Sequence, residues 1–398
     1  MTTDLRCPVC QSSDARPFLC RDRVPAHQNL VMRDQRAAEA AARGDLRVAC
    51  CPECGFVFND AFDPSRLSYG PDYDNAQTAS AAFRGHVDAL VRRLVDEVGV
   101  GGCRIVEVGC GQGQFLEQLV EAGGDGTTGV GFDPAYSGPA TTLGGRVRFE
   151  RRFYGPECAD VRADVVVCRH VLEHVADPVA LLRAVREALS ASGEARVYFE
   201  TPTVEWILRH RVVWDFFYEH CSYFTAASLA TAFQAAGLHV DDVREVFGGQ
   251  YLWIEARVTR DAPRVERRPG DVPELARAFG RAEPGIVDAM RAQVEAWAAD
   301  GGVALWGAGA KGATLAHLID PERTLVRCVV DLNPQKQGRF LPATGHPIVD
   351  FRELRALDVR TAVLMNPNYR AENDRLLRSA GMDVALTELI QSTDALGD

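Results

Sequence analysis

Glu219 and His220 are adjacent within an aromatic stretch that runs from Trp214 to Phe224. An imidazole can accept a proton near neutral pH, and a neighbouring carboxylate can orient it or raise its basicity. The stretch follows the fifth predicted strand of a sheet, where loops can reach a ligand bound at the strand ends. We therefore predict that His220 is a catalytic base and that Glu219 assists it.

Four cysteines form two Cys-x-x-Cys pairs, Cys7 with Cys10 and Cys51 with Cys54. Of the competing ligands, Cys50 is in the wrong register for the second pair, and Cys20 stands alone. Two intervening residues let both sulfurs of a pair turn onto one cation, and four thiolates form a closed tetrahedral zinc site. Because such a site has no open position, we predict a structural zinc ion that orders a segment with a thin core of its own. A thioredoxin-like role is disfavoured, since neither pair follows a strand of a βαβ unit.

A predicted sheet would position these side chains, and its first strand lies in the stretch from Ile105 to Phe115. The stretch is typical of a buried strand, a glycine turn and a helix start, and its candidate cofactor residues are Glu107, Gly109, Gly111 and Gly113. Glycines allow the tight turn and leave room for a ligand that faces the free amides of the helix. The order resembles the Glu-x-Gly-x-Gly-x-Gly loop of class I S-adenosylmethionine (SAM)-dependent methyltransferases, which implies SAM as the cofactor.

The next strands follow in the order of an open parallel sheet. The strand 129–132 ends in Asp133, a carboxylate placed to accept hydrogen bonds from both ribose hydroxyls. A strand ending at Cys168 precedes His170 and His174, and an amphipathic helix and a strand over 195–200 follow. Since ligands bind at the C-terminal ends of such strands, we add Asp133 and His170 to the predicted cofactor site. His170 and His174 are also rivals of His220 for the role of base.

A second glycine turn opens the C-terminal region. Residues 303–312 fit a strand, a Gly-x-Gly-x-x-Gly turn and a helix, and Asp331 follows 19 residues after Gly312. This spacing is typical of a nicotinamide site and makes an NAD(P)-dependent oxidoreductase one alternative. The other is a substrate domain whose helix N-terminus and Lys311 meet a pyrophosphate. The stretch 366–369 is either a further ligand loop or a plain turn.

Composition limits the class of protein. The 398 residues are 46% hydrophobic and 25% charged, with a formal net charge of −11. This predicts a globular protein of two or three domains, and the negative balance disfavours a nucleic-acid substrate. We find no apolar run near the roughly 20 residues of a membrane helix and no signal-peptide pattern. We therefore expect a cytoplasmic protein with a small-molecule partner, no nucleic-acid or membrane partner, free thiols, and a monomeric state.

The predicted fold class is α/β in four regions. Residues 1–65 form an irregular, cysteine-rich zinc-binding domain, and residues 66–258 form the class I SAM-methyltransferase domain with a Rossmann-like sheet. Residues 259–302 are a linker followed by a helix from Pro273 to Asp300, since apolar residues recur there near a 3.6 period. Residues 303–398 form a Rossmann-like substrate-binding domain.

Together these motifs resemble the sugar C-methyltransferases that act on nucleotide-linked 4-keto sugars, over nearly the whole chain. The resemblance implies that His220 of the Glu-His pair is the base and that a tyrosine after the zinc motif enters the site. Tyr73 is our choice for that tyrosine, with Tyr69 in reserve. The chain lacks the family's serine-rich run after this tyrosine. It also carries Gly-Gly-Gln-Tyr at 248–251 where Gly-Gly-Ser is commoner, so the methyl acceptor stays open.

The expected reaction is methylation of the carbon next to the keto group of a nucleotide-linked deoxy-keto sugar, in antibiotic or polysaccharide sugar biosynthesis. His220, supported by Glu219, removes the α-proton, and Tyr73 or a backbone donor stabilises the enolate oxygen. The alternatives are O- or N-methylation of another small molecule, the oxidoreductase, and a zinc-ribbon module that modifies or recognises RNA.

Overall fold

A computed structural model describes residues 5–67, 80–158, 160–189, 195–259, 261 and 263–389, which form three β-sheets. The first sheet begins with three antiparallel strands, which are β1 (Arg16–Pro25), β2 (Arg43–Cys50) and β3 (Val57–Asn59), with helix α1 (Gln35–Glu39) between the first two. The prediction that residues 1–65 are irregular is therefore wrong. In β2, buried Leu46 and Val48 alternate with exposed Asp45 and Arg47, so one face of the strand packs inward.

The middle sheet carries the glycine turn and has the predicted parallel centre. Its region contains the strands β4 (Arg104–Val108), β5 (Thr128–Phe132), β6 (Thr141–Thr142), β7 (Val147–Glu150), β8 (Val165–Arg169), β9 (Arg196–Pro202), β10 (Ser222–Tyr223), β11 (Leu238–Val246) and β12 (Tyr251–Val258). The strand order is β11-β12-β9-β8-β4-β5-β7-β6, with parallel pairing from β9 to β7 and antiparallel pairing at both edges. Strand β10 belongs to another sheet.

Helices cover the two faces of the middle sheet. Helices α2 (Ala81–Arg92), which continues as a π-helical turn over Arg93–Glu97, and α3 (Gln114–Ala122) pack on one face, and helices α4 (Pro178–Ala188) and α6 (Ala226–Ala235) pack on the other. Helix α5 (Val204–Arg209), between α4 and α6 in the chain, packs instead in the core shared with the N-terminal and C-terminal sheets. Helix α3 starts at Gly113 directly after β4 and its turn, as predicted. Helix α4 ends at Ala188, and the predicted Ser192-Gly193 stop lies outside the described residues.

The first sheet takes its fourth strand from the middle of the chain. Ser222 and Tyr223 of β10 pair with Phe58 and Val57 of β3. The rings of Phe56 and Phe224 pack beside this pairing with centroids 5.1 Å apart. The residues that directly follow His220 therefore belong to the N-terminal sheet, which the sequence does not predict.

The C-terminal region has the predicted Rossmann-like form. Helix α7 spans Val272–Asp300, which confirms the predicted helix, and Gly301 ends it. The remaining elements are β13 (Gly302–Trp306), α8 (Ala310–Ile319), β14 (Val326–Val330), β15 (Ile348–Val349), β16 (Val359–Leu364), α9 (Arg370–Ser379) and β17 (Ala385–Thr387). These strands are parallel in the order β15-β14-β13-β16-β17.

The exact domain boundaries stay a prediction. Within the described ranges, no helix is long and apolar enough to cross a bilayer.

Substitution of glycine by alanine should have opposite effects on stability at two positions of α7. A Cβ added at Gly280 would lie 1.9 Å from the carbonyl oxygen of Phe18 in β1, whereas one at Gly285 would meet no atom within 4 Å. We expect Gly280→Ala to destabilise the protein by about 1–3 kcal/mol because helix and strand must separate. Gly285→Ala should stabilise it by up to about 1 kcal/mol through helix propensity. Thermal unfolding measures both, and equal shifts would contradict the close contact between α7 and β1.

Candidate active site

The turn after β4 has the geometry of a ligand loop. Gly109, Gly111 and Gly113 have left-handed φ angles of 69°, 53° and 83°. A Cβ at Gly109 would lie 2.2 Å from Cγ2 of Val171, and one at Gly113 would lie 2.4 Å from the ring of Phe149. A Cβ at Gly111 would meet no atom within 4 Å. Two of the glycines are therefore required by packing, and Gly111 borders open space.

The two predicted carboxylates face this loop. Asp133 accepts hydrogen bonds from the backbone N–H of Gly111 at 2.9 Å and of Ala135 at 2.7 Å, and burial raises its pKa. Glu107 is only 3% exposed, and its Oε2 has no hydrogen-bond partner among the residues that the structure describes. Burial raises the pKa of Glu107 to about 8, against the opposing charge of Arg169. A buried carboxyl oxygen without a partner, on the strand that leads into this turn, fits a ligand rich in donors, such as the ribose and ammonium groups of SAM.

A cluster of buried charges lies behind the loop at the ends of β8 and β9. Arg169 donates to Glu200 at 2.8 Å, and His86 and His170 also approach this carboxylate. Burial alone would raise the pKa of Glu200, but Arg169 and the two histidines outweigh it and hold the pKa well below its usual range. The buried carboxylate is thus ionised and surrounded by donors.

His170, predicted at the cofactor, connects this cluster to the next cavity. It has a left-handed φ of 55°, and its Nδ1 lies 3.3 Å from Oε1 of Glu173. Burial opposes its protonation, but the carboxylates of Glu173 and Glu200 raise its pKa to about 9. His170 is therefore an imidazolium at neutral pH. Its neighbour Val171 packs on Gly109, so a contact of His170 with SAM stays a prediction.

His220, the predicted base, lies in a different environment. Its ring packs on Phe217 with centroids 4.1 Å apart and on His174 with centroids 4.8 Å apart. Burial lowers the pKa of His220 well below 6.5, and the positive charges of His174, His170 and Lys311 add to this effect. The ring is therefore neutral and can accept a proton.

Glu219 is turned toward the N-terminal domain. Its carboxylate is completely buried, and its oxygens lie 2.8 Å from Nδ1 of His27 and 3.4 Å from Nδ2 of Asn29. The structure thus describes Glu219 bound to partners other than the imidazole of His220. Tyr73 and Tyr69 lie outside the described residues, and their role stays a prediction.

One cavity joins the middle sheet to the C-terminal sheet. It has a volume of about 230 Å³, and its wall includes His170, Phe217 and His220 on one side and the turn 307–312 on the other. Gln250 and Asn366 exchange two hydrogen bonds of 3.0 Å across the two domains. The predicted ligand loop at 366–369 thus borders the cavity through Asn366 and Tyr369.

The C-terminal glycine turn repeats the arrangement of the first. Asp331 accepts from the backbone N–H of Ala308 at 2.9 Å and of Asn333 at 2.8 Å, as Asp133 does at its own loop. Lys311 forms a 2.6 Å ion pair with Asp215, and the buried Lys336 donates to the carbonyl of Ala308 at 3.3 Å. Two lysines therefore lie at this turn.

The four predicted zinc ligands come together. Cys7, Cys10, Cys51 and Cys54 are buried, and their sulfurs lie within 4.8 Å of one another. The Sγ atoms of Cys7 and Cys54 are 3.7 Å apart, and those of Cys10 and Cys51 are 3.5 Å apart. A tetrahedral zinc ion with Zn–S bonds of about 2.3 Å requires sulfurs about 3.8 Å apart. The cluster therefore fits zinc with little adjustment.

Comparison with known proteins gives the same assignment in both large domains. Residues 81–243 match the family model of a methyltransferase domain, and residues 273–379 match that of a C-methyltransferase C-terminal domain. Over 367 residues the chain is 29% identical to C-methyltransferase NovU of Streptomyces niveus, covering 86% of this chain and 84% of NovU. These matches identify the chain as a SAM-dependent methyltransferase that is similar to C-methyltransferases over most of its length.

Other similarities are confined to a part of the chain. The ubiquinone biosynthesis O-methyltransferase of Escherichia coli O7:K1 (strain IAI39 / ExPEC) is 31% identical over 111 residues, which cover 26% of this chain and 44% of that enzyme. Magnesium protoporphyrin IX methyltransferase (ChlM) from Synechocystis PCC 6803 gives a TM-score of 0.36 at 17% identity, over 47% of this chain and 88% of ChlM.

Several residues of the methyltransferase site are absent from the sequence prediction. Arg169 is the last residue of β8, and Glu200 lies opposite it near the C-terminal end of β9, where a charged residue among buried ones is a readable signal of a site. His27 and Asn29 carry no such signal, because they lie about 190 residues from Glu219 in a region predicted to be irregular.

Removal of a single thiolate should release the zinc. We expect Cys54→Ser to lower the bound zinc from one ion per chain to well below one and to lower the melting temperature, because zinc binding free energy is folding free energy. Metal analysis and thermal unfolding measure the two effects.

Cys50→Ser is the matched control, since the Cys50 sulfur contacts only the carbonyl oxygen of Cys51 among its recorded hydrogen bonds and should leave zinc unchanged. Full zinc content in Cys54→Ser would refute the site. A second zinc ion in the wild type would point to Glu173, His174 and His220, whose donor atoms also lie within 4.8 Å of one another.

Proposed function

We propose that this C-methyltransferase methylates the carbon next to the keto group of a nucleotide-linked deoxy-keto sugar. The observation that carries the proposal is the cavity between the two large domains, with histidines on one wall and a glycine turn with two lysines on the other. A nucleotide sugar has the same two parts, because its ring requires acid–base groups while its diphosphate requires donors and positive charge.

The C-terminal wall suits the anionic part. The N-terminus of α8 directs its free amides to the turn, Lys336 adds charge, and Lys311 can exchange its ion pair with Asp215 for a phosphate oxygen. A Cβ at Gly312 would lie 2.0 Å from the carbonyl oxygen of Gly307, so this third glycine is required for close packing whatever is bound. The match of residues 273–379 to a C-methyltransferase domain favours the substrate over a nicotinamide cofactor here.

The middle-domain wall suits the reacting part. His220 is neutral and can take the proton α to the keto group, leaving the electron pair of the C–H bond as an enolate. His170 is protonated and can donate to the enolate oxygen, a role shared in our proposal with Tyr73. Two titratable groups whose pKa values are shifted apart in one cavity are typical of an acid–base pair. The low pKa of His220 weakens it as a base until the adjacent enolate charge stabilises its imidazolium.

In this proposal the remaining residues bind the cofactor and align it with the substrate. When bound, SAM supplies a methyl group that its sulfonium makes electrophilic. Glu107, Asp133 and the glycine turn would hold it beside Val171 and His170. Glu219 takes part by fixing the backbone next to His220. All twelve cysteines are unbridged, which suits the cytoplasmic location that is part of this proposal, as is a monomeric state.

Isotope loss distinguishes C-methylation from O- or N-methylation. With SAM and a panel of nucleotide keto-sugars, we expect a product that gains one methyl and loses deuterium from a labelled α-carbon. His220→Asn should slow this reaction by about 10²–10⁴-fold, because a general base contributes that much. Mass spectrometry measures methyl gain and label loss, and calorimetry should show unchanged SAM affinity.

The control is His239→Asn, since His239 is partly exposed on the outer strand β11 and pairs with Asp241. Methylation with full retention of deuterium would favour O- or N-methylation. Near-normal turnover of His220→Asn would refute the base. Tight binding of NAD(H) or NADP(H) without SAM binding would favour the oxidoreductase.

The pH dependence follows from the two shifted histidines. The raised pKa of His170 means that the donor is present below about 9 and is lost as the pH rises through that value. The lowered pKa of His220 means that the base stays available down to below 6.5. At saturating SAM, so that titration of Glu107 in the cofactor site does not limit binding, single-turnover rates should therefore be flat from pH 6.5 to about 8 and fall to half near pH 9. His170→Gln should be slower and lack the alkaline fall, and an unchanged alkaline limb would contradict the assignment.

A further inference from the structure

We propose that the N-terminal domain is part of the methyl-transfer site, with His27 and Arg21 as positioning residues that hold the segment 213–223 and thereby His220. The inference rests on the proposed function in taking His220 as the base. It goes further in assigning a role in catalysis to a domain whose predicted role is structural.

The three residues 27–29 hold Glu219, the neighbour of His220, by both its side chain and its backbone. His27 Nδ1 donates to one oxygen of Glu219 at 2.8 Å, and Asn29 donates to the other at 3.4 Å. The backbone N–H of Glu219 donates to the side chain of Gln28 at 3.4 Å. The Glu219 carboxylate is 0% exposed, so no water replaces a missing partner and the carboxylate must stay where these donors are.

Arg21 of β1 holds the first part of the segment. Its guanidinium donates to the carbonyls of Val213 at 2.8 Å and Phe216 at 3.0 Å, and it pairs with Glu283 of α7 at 2.8 Å. Arg21 is 8% exposed and its charge is compensated by Glu283. A planar guanidinium with fixed donor directions defines the position of both carbonyls.

The rest of the segment also packs on the N-terminal domain. Tyr218 fills the space above Gly44, where an added Cβ would lie 2.2 Å from the tyrosine ring. The carbonyl of Cys221 accepts from Asn59 at 2.9 Å, and Ser222 and Tyr223 form β10 of the N-terminal sheet. His220 and Phe217, by contrast, line the cavity. The segment is thus held from the N-terminal side and presents the base to the substrate side.

Hydrogen exchange gives a direct test that does not require activity. We expect His27→Leu to speed exchange of residues 213–224 by about tenfold, since a cooperative contact of the segment is lost. Exchange of residues 105–115 in the SAM loop should be unchanged. His346→Leu is the matched control, because it removes another buried histidine–carboxylate pair, His346 with Asp320 at 3.1 Å, in the C-terminal domain. This control should leave exchange at 213–224 unchanged.

Kinetics then test the link to catalysis. In His27→Leu we expect the single-turnover rate to fall about 10–100-fold, the effect of a displacement near 1 Å, with KM and SAM affinity nearly unchanged. His27→Asn, which keeps a donor near the position of Nδ1, should recover most of the rate. Arg21→Lys keeps the charge opposite Glu283 but loses donors to the carbonyls. It should also lower the single-turnover rate and speed hydrogen exchange of residues 213–217. Arg16→Lys, on the exposed end of the same strand, is its control.

The outcomes are separable. Unchanged exchange and rate in His27→Leu and Arg21→Lys would overturn the proposal, as would a slow rate with unchanged exchange. If His27→Leu does not fold, Arg21→Lys and Asn29→Ala decide by the same two readouts. In a His220→Asn background, His27→Leu should lower the rate no further. Normal turnover of His220→Asn alone would refute the proposed base, while the exchange data would still report on positioning.

Discussion

The carboxylate of Glu219 has no access to water, and its hydrogen bonds fix the contact between the N-terminal domain and the segment that carries His220. Glu219 is fully buried, and a buried charge requires a partner with well-directed donors. The partners come from His27 and Asn29, about 190 residues earlier in the chain. The N-terminal domain therefore cannot be a detachable appendage of a methyltransferase. It closes the back of the segment that carries His220, and the zinc cluster stabilises the domain from which these donors project.

The electrostatics of the cavity follow from which charges are paired. Glu200 stays ionised because Arg169 and two histidines surround it, whereas burial outweighs the charge of Arg169 at Glu107 and raises its pKa to about 8. Glu173 and Glu200 keep His170 protonated, whereas burial is the main cause that lowers the pKa of His220 and leaves its ring neutral. One cavity thus contains a donor and an acceptor. The carboxylate of Glu219 is bound to His27 and Asn29, so the adjacency of Glu and His in the sequence does not set the protonation state of His220.

Local patterns carry most of what the sequence predicts. The glycine turn, the four clustered cysteines and helix α7 each depend on residues close in sequence or on a regular period, and the structure contains all three. Asp133 lies at the turn, and its role in holding the cofactor stays a prediction. The short strands of the N-terminal domain are harder to predict, since β3 has three residues and β1 is irregular in register. Strand β10 and the His27–Glu219 pair depend on long-range packing, which no local pattern encodes. Arg169 and Glu200 lie between these cases, because their positions at strand ends are readable while their partners are not.

The two glycine turns share one backbone arrangement but suit two different ligands. In each, an aspartate at the end of the next strand accepts the N–H of a turn residue and of the residue two positions after itself, Asp133 at Gly111 and Ala135, Asp331 at Ala308 and Asn333. The first turn borders open space at Gly111 beside the orphaned oxygen of Glu107, which suits a cofactor rich in donors. The second has Lys311 and Lys336 beside it, which suits an anion. His170 and His220 line the cavity with the second turn, and Val171, next to His170, packs on Gly109 of the first. In our proposal, a substrate anchored at the second turn would present its far end to the histidines and to the cofactor held by the first. The distance between two rigid sheets, more than any single contact, would then select the length of the substrate.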